Sequence, residues 1–221
     1  MTNYKILFSA PYMIPFLDRF RPELESHGLE LIVPLVQERL SEEALMEYAG
    51  EIDGTICGDD RYSERVLQAY APRLKVISKW GTGIDSIDQE AARRLGIQVR
   101  NTPNAFTTAV ADTVLGYLLA FTRQQPWMDR AVKAGEWRKI PGCTLSERTL
   151  GVVGVGNIGK AVIRRARAFG MKVYGTDIVP IDHVFLTESG VEMTTLETLL
   201  QYSDFVSLNC DLNPTSYHLI N

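Results

Sequence analysis

Three glycines with the spacing of a phosphate-binding turn lie near the middle of the sequence. Gly154 lies near the end of the apolar run over 150–155, which is typical of a short buried strand. Gly156 and Gly159 follow this run, and a stretch with helical periodicity comes next. In a GxGxxG turn the first glycine permits a tight turn, the second lets the backbone approach phosphates, and the third allows close helix–strand packing. The start of the following helix stabilises an anion through its free amides and its dipole. The pattern therefore predicts a site for the pyrophosphate of a dinucleotide.

An acidic residue follows where the ribose of a dinucleotide would lie. Asp177 comes directly after a predicted strand over 172–176, at position 18 after Gly159, and a dinucleotide fingerprint places an acid at about this distance. A carboxylate accepts hydrogen bonds from ribose hydroxyls and repels a 2'-phosphate. Ile178, Val179 and Pro180 supply no arginine for such a phosphate. The sequence thus favours NAD over NADP.

Simpler interpretations of the same residues remain open at this point. The glycines are compatible with a bare strand-to-helix turn, and Asp177 with a solvated loop carboxylate. The densest basic cluster, formed by Arg164, Arg165 and Arg167, is most simply the solvated face of the helix after the glycines. The combination of the glycine spacing with the acid makes the dinucleotide interpretation the stronger one.

Composition excludes several classes of protein. The chain has 221 residues, 45% of them hydrophobic, and a net charge of −4, which suits one large globular domain or two small ones. Acidic and basic residues alternate without a basic stripe, so nucleic acid is not expected as a partner. The first residues lack a signal-peptide pattern and the apolar run 114–121 is too short to cross a bilayer. A cytoplasmic protein that does not bind membranes is expected.

The cysteines predict neither a disulfide framework nor a metal site. There are three, Cys57, Cys143 and Cys210, an odd number with wide spacing that matches neither a disulfide scaffold nor a zinc motif. No metal is predicted.

The elements that must position the glycines alternate between strands and helices along the chain. Strands are predicted over 5–9, 29–34, 54–57, 74–78 and 98–100, and helices over 15–26, 41–49, 63–70 and 86–95. Further strands are predicted over 150–155, 172–176, 191–193 and 205–209, with helices over 161–169 and 196–202. Such alternation predicts parallel sheets covered by helices, an α/β protein.

A more apolar segment separates the two series of strands. Residues 107–123 are apolar on most faces, which predicts a buried helix at the hinge into a second domain. Residues 126–149 predict a helix followed by an irregular arm. Because two exposed tryptophans, Trp127 and Trp137, are costly in this region, we expect an intersubunit contact.

Several blocks together resemble the D-isomer-specific 2-hydroxyacid dehydrogenase family, which includes the phosphoglycerate and glyoxylate/hydroxypyruvate dehydrogenases. The similarity covers essentially the whole chain and rests on the order of the blocks 77–88, 101–104, 110–113, 150–159 and 211–215. Gly81-Thr-Gly-Ile-Asp85 and Asn101-Thr-Pro-Asn104 are most similar to the phosphoglycerate dehydrogenase branch.

This resemblance implies an arrangement of domains. It places a flavodoxin-like, parallel-sheet substrate-binding (catalytic) domain over 1–100 and an NAD-binding Rossmann domain over 101–221, incomplete on its C-terminal side, with a cleft between them. It also implies a homodimer built around the Rossmann domains.

The resemblance also implies residue roles. Thr82 would contact the cofactor near its nicotinamide end, Asn157 and Ile158 the pyrophosphate, and Asp177 the adenosine ribose. Cys210 would contact the cofactor from the end of a strand. Gly154, Gly156 and Gly159 complete the predicted cofactor site.

A substrate site is implied at the end of the strand over 74–78. Backbone amides around Lys79, Trp80 and Gly81 would bind the substrate carboxylate, because successive N–H groups in a glycine-containing turn form an anion-binding nest. An ordinary strand-to-helix turn is the alternative.

The residues that would move the proton are expected outside the chain. Transfer of a hydride to a 2-keto acid needs an acid or base with a pKa near neutrality and a cation that polarises the keto acid. In the family the arginine, the glutamate and the histidine of a Pro-His pair come after the segment that ends at Asn221. His27, His183 and His218 do not follow a proline and are expected at the surface, so no catalytic residue is predicted within the chain.

The predicted function is that of an NAD-dependent oxidoreductase that interconverts a D-2-hydroxy acid and its 2-keto acid by hydride transfer, of the phosphoglycerate dehydrogenase-like branch. The alternative is a non-catalytic NAD-binding or corepressor-like relative. Another Rossmann protein, such as a methyltransferase or flavoprotein, would not explain the blocks over 81–85 and 101–104.

Overall fold

The computed structural model describes residues 3–220 and contains two compact units. Unit 1 comprises the described residues up to Ala105 together with Leu212–Tyr217. Unit 2 comprises Phe106–Asp211 together with the described residues from His218. The functions assigned to two domains from the sequence stay predictions.

Unit 1 is built on a parallel sheet of five strands. They are β1 (Tyr4–Phe8), β2 (Leu29–Ile32), β3 (Gly54–Cys57), β4 (Val76–Lys79) and β5 (Gln98–Arg100). Their order across the sheet is β2-β1-β3-β4-β5 and every neighbouring pair is parallel. This is the flavodoxin-like order, so the predicted fold of this part is confirmed.

Helices connect these strands. They are α1 (Leu17–Ser26), α2 (Glu42–Met46), α3 (Glu64–Tyr70) and α4 (Gln89–Arg94), and a 3-10 turn over Ile14–Phe16 precedes α1. The Ser41 hydroxyl accepts a hydrogen bond from the Ala44 amide at 3.3 Å, and the Asp88 carboxylate accepts one from the Ala91 amide at 2.9 Å. Because both residues act as N-caps, α2 and α4 begin directly after them. Both helices are shorter than predicted, and α2 also ends three residues earlier, at Met46.

The core of unit 1 contains two buried tyrosines whose hydroxyls are satisfied. Tyr62 donates to the Thr55 hydroxyl at 3.0 Å, and Tyr70 donates to the Leu45 carbonyl. The two rings meet edge to face with centroids 6.2 Å apart. Burial raises the pKa of both phenols, so they stay neutral and fix the packing of α2 and α3 on the sheet.

Unit 2 contains a second parallel sheet. Its strands are β6 (Thr149–Val153), β7 (Lys172–Thr176), β8 (Glu192–Met193) and β9 (Phe205–Leu208), in the order β8-β7-β6-β9. Counted from β6, this order is 3-2-1-4, which matches the first four strands of a Rossmann sheet. The predicted Rossmann-type unit is confirmed.

Five helices accompany this sheet within the described residues: α5 (Thr107–Thr122), α6 (Gln125–Lys133), α7 (Asn157–Ala168), α8 (His183–Ser189) and α9 (Leu196–Tyr202), with a 3-10 turn over Leu145–Glu147. Helix α5 packs on α7, where Ala111 and Leu115 join the same core as Val162. No helix within residues 3–220 is long and apolar enough to span a bilayer.

Two features of unit 2 differ from the sequence predictions. A helix that was not predicted, α8, begins at His183, and the preceding Asp182 accepts a hydrogen bond from the Phe185 amide at 3.3 Å as its N-cap. Arg165 is also not merely solvated, because its guanidinium pairs with Asp112 of α5 at 2.6 Å. The helix after the glycines is thereby tied to α5.

Candidate functional site

The glycine-rich turn connects β6 to α7, and two of its glycines are required by the fold. Gly154 has φ +86°, and a Cβ there would lie 2.8 Å from the Cys210 amide nitrogen. A Cβ at Gly159 would lie 2.0 Å from the Gly154 carbonyl oxygen. Each distance is too short for a side chain, so these glycines let β9 and α7 approach the turn.

Gly156 differs from the other two glycines. Its φ of −73° is ordinary for any residue, and a Cβ there would meet nothing within 4 Å. Neither backbone strain nor a neighbouring atom therefore explains this glycine. A ligand that approaches the backbone closely does explain it, and open space at this point is what a dinucleotide pyrophosphate needs.

Helix α7 presents its N-terminus to this open space. Gly156 is the N-cap, no side chain caps the helix within the described residues, and its first turn contains no acidic residue. The 12-residue helix starts with the exposed Asn157 and the half-buried Ile158. Its first amides and its dipole favour an anion, as the sequence predicts.

Asp177 is held at the edge of the same turn. One carboxylate oxygen accepts a hydrogen bond from the Val155 amide at 2.6 Å, and the other accepts one from the Val179 amide at 3.0 Å. Each oxygen retains a second lone pair for a ligand hydroxyl. The backbone thus fixes a negative charge beside the glycines, where it can accept hydrogen bonds from a ribose.

Cys210 follows β9, the neighbour of β6 in the sheet. Its thiol is exposed, and its amide lies next to Gly154. The unit 2 sheet therefore brings together the cofactor residues that were predicted in this unit: Gly154, Gly156, Asn157, Ile158, Gly159, Asp177 and Cys210.

The predicted substrate turn follows β4 in unit 1. The Trp80 amide donates to the Cys57 carbonyl at 2.8 Å, and the Gly81 amide donates to the Thr102 hydroxyl at 3.0 Å. The Thr82 carbonyl accepts a hydrogen bond from the Asn101 side chain at 2.7 Å. Two blocks of the family resemblance, 77–88 and 101–104, are thus joined by hydrogen bonds.

These bonds define which amides a ligand can use. The Trp80 amide donates a hydrogen bond to the Cys57 carbonyl of the neighbouring strand and is therefore already used within the fold. The Gly81 amide is paired with a hydroxyl, which a stronger anionic acceptor replaces. Within residues 3–220 the amides of Thr82 and Gly83 donate no hydrogen bond. The geometry therefore shifts the candidate anion nest from the predicted Lys79–Gly81 toward Gly81–Gly83.

The Lys79 side chain lies beneath this turn. A Cβ at Gly81 would stand 3.0 Å from Lys79 Cε, so the lysine stem packs directly against the glycine. Lys79 is 3% exposed and its ammonium pairs with the carboxylate of Asp59, which is 72% exposed. The Ser86 hydroxyl lies 3.4 Å from the same ammonium. Asp59, which neutralises this charge, was not singled out from the sequence.

A second carboxyl group at this edge of the sheet is fully buried. Asp60 accepts hydrogen bonds from the Leu40 amide at 2.6 Å and from the Ser9 hydroxyl. Burial is the main cause that raises its pKa. Asp60 joins the loop before α2 to the ends of β1 and β3 and does not face a ligand.

The three histidines form no site. His27, His183 and His218 are all exposed, as expected. Within the described residues no group of three or more histidine, cysteine, aspartate or glutamate side chains could hold a metal ion.

Comparisons with known proteins show which family this chain is similar to. A family model described as "D-isomer specific 2-hydroxyacid dehydrogenase, NAD binding domain" matches residues 115–221. A hydroxypyruvate reductase of Thermotoga maritima is 34% identical over 100% of this chain and 69% of its own length. A glyoxylate reductase of Thermococcus onnurineus is 36% identical over 84% of this chain and 58% of its own. A D-3-phosphoglycerate dehydrogenase of Rattus norvegicus is 34% identical over 91% of this chain and 37% of its own.

Comparison with solved structures leads to the same family. A D-lactate dehydrogenase from Aquifex aeolicus, complexed with NAD and lactic acid, superposes with a TM-score of 0.84 at 26% identity and covers 98% of this chain and 63% of that protein. The chain belongs to the D-isomer specific 2-hydroxyacid dehydrogenase family, and its cofactor is NAD. It spans 58% and 56% of the length of two glyoxylate reductases that it matches.

Proposed function

We propose that this chain carries the NAD-binding and acid-binding parts of an NAD-dependent 2-hydroxyacid dehydrogenase. The observation that carries the proposal is Gly156, which neither its own conformation nor its neighbours require. A cofactor pyrophosphate that lies against the backbone explains why this position is a glycine. When bound, NAD supplies the site that accepts or donates a hydride.

The roles of the residues follow from their chemistry. The amides of Asn157 and Ile158 bind the pyrophosphate, and Asp177 accepts hydrogen bonds from the adenosine ribose. Cys210 contacts the cofactor from the end of β9, and Thr82 is proposed to contact it near its nicotinamide end. The substrate carboxylate binds the amides at Gly81–Gly83, with Lys79 and Trp80 as neighbours that support the turn.

The substrate belongs to the small 2-hydroxy or 2-keto acids. The similar proteins include glyoxylate and hydroxypyruvate reductases as well as phosphoglycerate dehydrogenases. The phosphoglycerate branch, which the blocks over 81–85 and 101–104 favour, therefore remains a prediction.

A homodimer is part of the same proposal. Exposed apolar side chains occur along the second half of α5, on α6 and on the arm that follows: Tyr117, Phe121, Trp127, Val132 and Trp137. The Phe121 and Trp127 rings pack together with centroids 5.7 Å apart. A second copy of the chain would remove this apolar face from water.

The test of cofactor binding compares two glycines that have the same free space. A Cβ at Gly116, in α5, also meets nothing within 4 Å. Gly156→Ala should weaken NADH binding at least tenfold in a fluorescence titration, because the methyl group occupies the position of the phosphates. Gly116→Ala should leave NADH binding unchanged. Wild-type affinity in Gly156→Ala would refute the proposed cofactor site.

A further inference from the structure

Two aromatic rings pack together at the carboxyl edge of the unit 1 sheet. Tyr12 lies in the loop after β1 and Trp80 directly follows β4, and their ring centroids are 6.0 Å apart with an interplanar angle of 35°. Tyr12 is 68% exposed. Because β3 lies between β1 and β4 in the sheet, the two rings bridge the end of β3.

The backbone beneath the rings is built for this approach. Gly58 follows β3, and a Cβ at this position would stand 2.8 Å from Pro11 Cδ. The absence of a side chain at Gly58 therefore lets the loop that carries Pro11 and Tyr12 fold over the end of β3. The loop and the Tyr12 ring are positioned by packing and not by chance exposure.

The ring pair adjoins the candidate anion nest. Trp80 immediately precedes Gly81, and consecutive Cα atoms are about 3.8 Å apart. An acid whose carboxylate binds the amides of Gly81–Gly83 has its side chain only a few bonds away, within reach of the two rings. The rings therefore form an apolar wall beside the substrate.

The charges near this wall do not favour a second anionic group on the substrate. Lys79, the cation beneath the turn, is neutralised by Asp59 and is 3% exposed. The neighbouring Asp60 carboxyl is buried and its hydrogen bonds are used within the fold. A phosphate group near the turn would meet an aromatic surface, the exposed Asp59 and a lysine that is already paired.

We propose that Tyr12 and Trp80 form the specificity wall of the substrate site and select 2-keto or 2-hydroxy acids with an uncharged, apolar side chain. This inference rests on the proposed function, because it uses the same nest for the carboxylate. It departs from the phosphoglycerate branch, whose substrate carries a phosphate. Asp59 acts with the wall, since it neutralises the buried Lys79 ammonium, which would otherwise attract a phosphate.

Two exposed arginines define the competing outcome. Arg61 follows β3 and Arg100 ends β5, both at the carboxyl side of the same sheet. If these side chains turned toward the nest, they would bind a phosphorylated acid. A phosphorylated ligand must therefore be one arm of the test.

The tryptophan in the wall provides a direct signal. The chain has three tryptophans, and Trp127→Phe/Trp137→Phe leaves Trp80 as the single one. In this background we would titrate glyoxylate, 4-methyl-2-oxopentanoate and 3-phosphoglycerate and follow Trp80 fluorescence, without and with saturating NAD. The three ligands share a carboxylate and differ in the rest of the molecule. The branched acid should bind at least tenfold more tightly than glyoxylate, and 3-phosphoglycerate should bind most weakly.

Variants of Tyr12 separate the wall from general packing. Tyr12→Ala should weaken binding of 4-methyl-2-oxopentanoate about tenfold and leave glyoxylate binding unchanged, because only the branched side chain contacts the ring. Tyr12→Phe should retain the affinity, since the ring and not the hydroxyl makes the contact. Tyr4→Ala is the matched control, because Tyr4 is an exposed tyrosine at the opposite end of β1.

Each result has a defined meaning. Equal or tighter binding of 3-phosphoglycerate, or an unchanged affinity of Tyr12→Ala for the branched acid, overturns the inference. Absence of saturable binding by all three acids also overturns it. NADH binding, measured separately with Gly156→Ala as the control, distinguishes that result from a failure of the proposed cofactor site.

Discussion

Gly159 lies so close to the Gly154 carbonyl that a Cβ at position 159 would stand 2.0 Å from its oxygen. Helix α7 and the turn that precedes it are thus packed backbone to backbone. Gly156, between them, makes no such contact. One motif therefore contains glycines of two kinds: the fold requires Gly154 and Gly159, and we propose that the ligand requires Gly156.

This division predicts that alanine at Gly159 mainly lowers the stability of the fold, whereas alanine at Gly156 mainly weakens NADH binding. Gly159→Ala should lower the free energy of unfolding by about 1–3 kcal/mol, because the methyl group overpacks the helix against the turn. Gly156→Ala should cost less than about 1 kcal/mol, the usual scale at an N-cap, although it weakens NADH binding. Urea unfolding of both variants measures the difference. An equal loss of stability in the two variants would contradict it.

Asp177 should determine the preference for NADH over NADPH. Asp177→Asn keeps an oxygen for one of the two backbone amides that hold the carboxylate, so the turn is preserved. A hydrogen bond to a charged group contributes about 1.5–3 kcal/mol, so NADH affinity should fall about tenfold or more. NADPH affinity should not fall in parallel, because repulsion of the 2'-phosphate is also removed.

The control for this charge change is Asp129→Asn. Asp129 is an exposed acid on α6 that pairs with Lys133. Its replacement should leave the affinities for both cofactors unchanged in the same fluorescence titration. A wild-type ratio of the two affinities in Asp177→Asn would exclude this residue from ribose recognition.

Asp60 should give the unfolding free energy a pH dependence of known sign. Burial raises its pKa above the ordinary value of 3.8, so the folded state binds this proton more strongly than the unfolded state. The stabilisation is fully present below the unfolded pKa and is lost as the pH rises through the folded pKa. Asp60→Asn, which is neutral at every pH, should not show this loss.

The measurement is urea unfolding of wild type and Asp60→Asn between pH 4 and pH 7. Because other carboxyl groups titrate in both proteins, the informative quantity is the difference between the two free energies. The free energy of unfolding of Asp60→Asn should increase relative to that of the wild type as the pH rises. A constant difference over the range would show that the buried carboxyl does not act in this way.

The sequence predicted the elements whose signals are local. The strands over 54–57, 98–100 and 172–176 have the predicted bounds, because a glycine within two residues marks one end of each: Gly58, Gly96 and Gly170. The glycine-rich turn was predicted as a cofactor site because its glycines and Asp177 occupy fixed positions at the ends of two adjacent strands. Helix α8 was missed although Asp182 is a good N-cap.

Local sequence patterns did not predict contacts between distant parts of the chain. Asp59 and Lys79 meet only because β3 and β4 are neighbours in the sheet, and Tyr12 meets Trp80 across the strand between theirs. No periodicity encodes these pairs. The amides of the substrate turn were similarly predicted as a group, whereas the Trp80 amide is committed to the sheet.

The apolar face on α5, α6 and the following arm should make the protein a dimer. Trp137 is 87% exposed in the single chain, and the exposed Phe121 and Trp127 rings pack on each other. Burying an uncompensated carboxylate among such side chains costs at least about 1–3 kcal/mol, so Phe121→Glu should raise the dissociation constant of the dimer about tenfold or more. Sedimentation equilibrium should give twice 24.8 kDa for the wild type and a lower mean mass for Phe121→Glu. Val184→Glu, which alters an equally exposed apolar residue on α8, should remain dimeric, and a monomeric wild type at micromolar concentration would refute the interface.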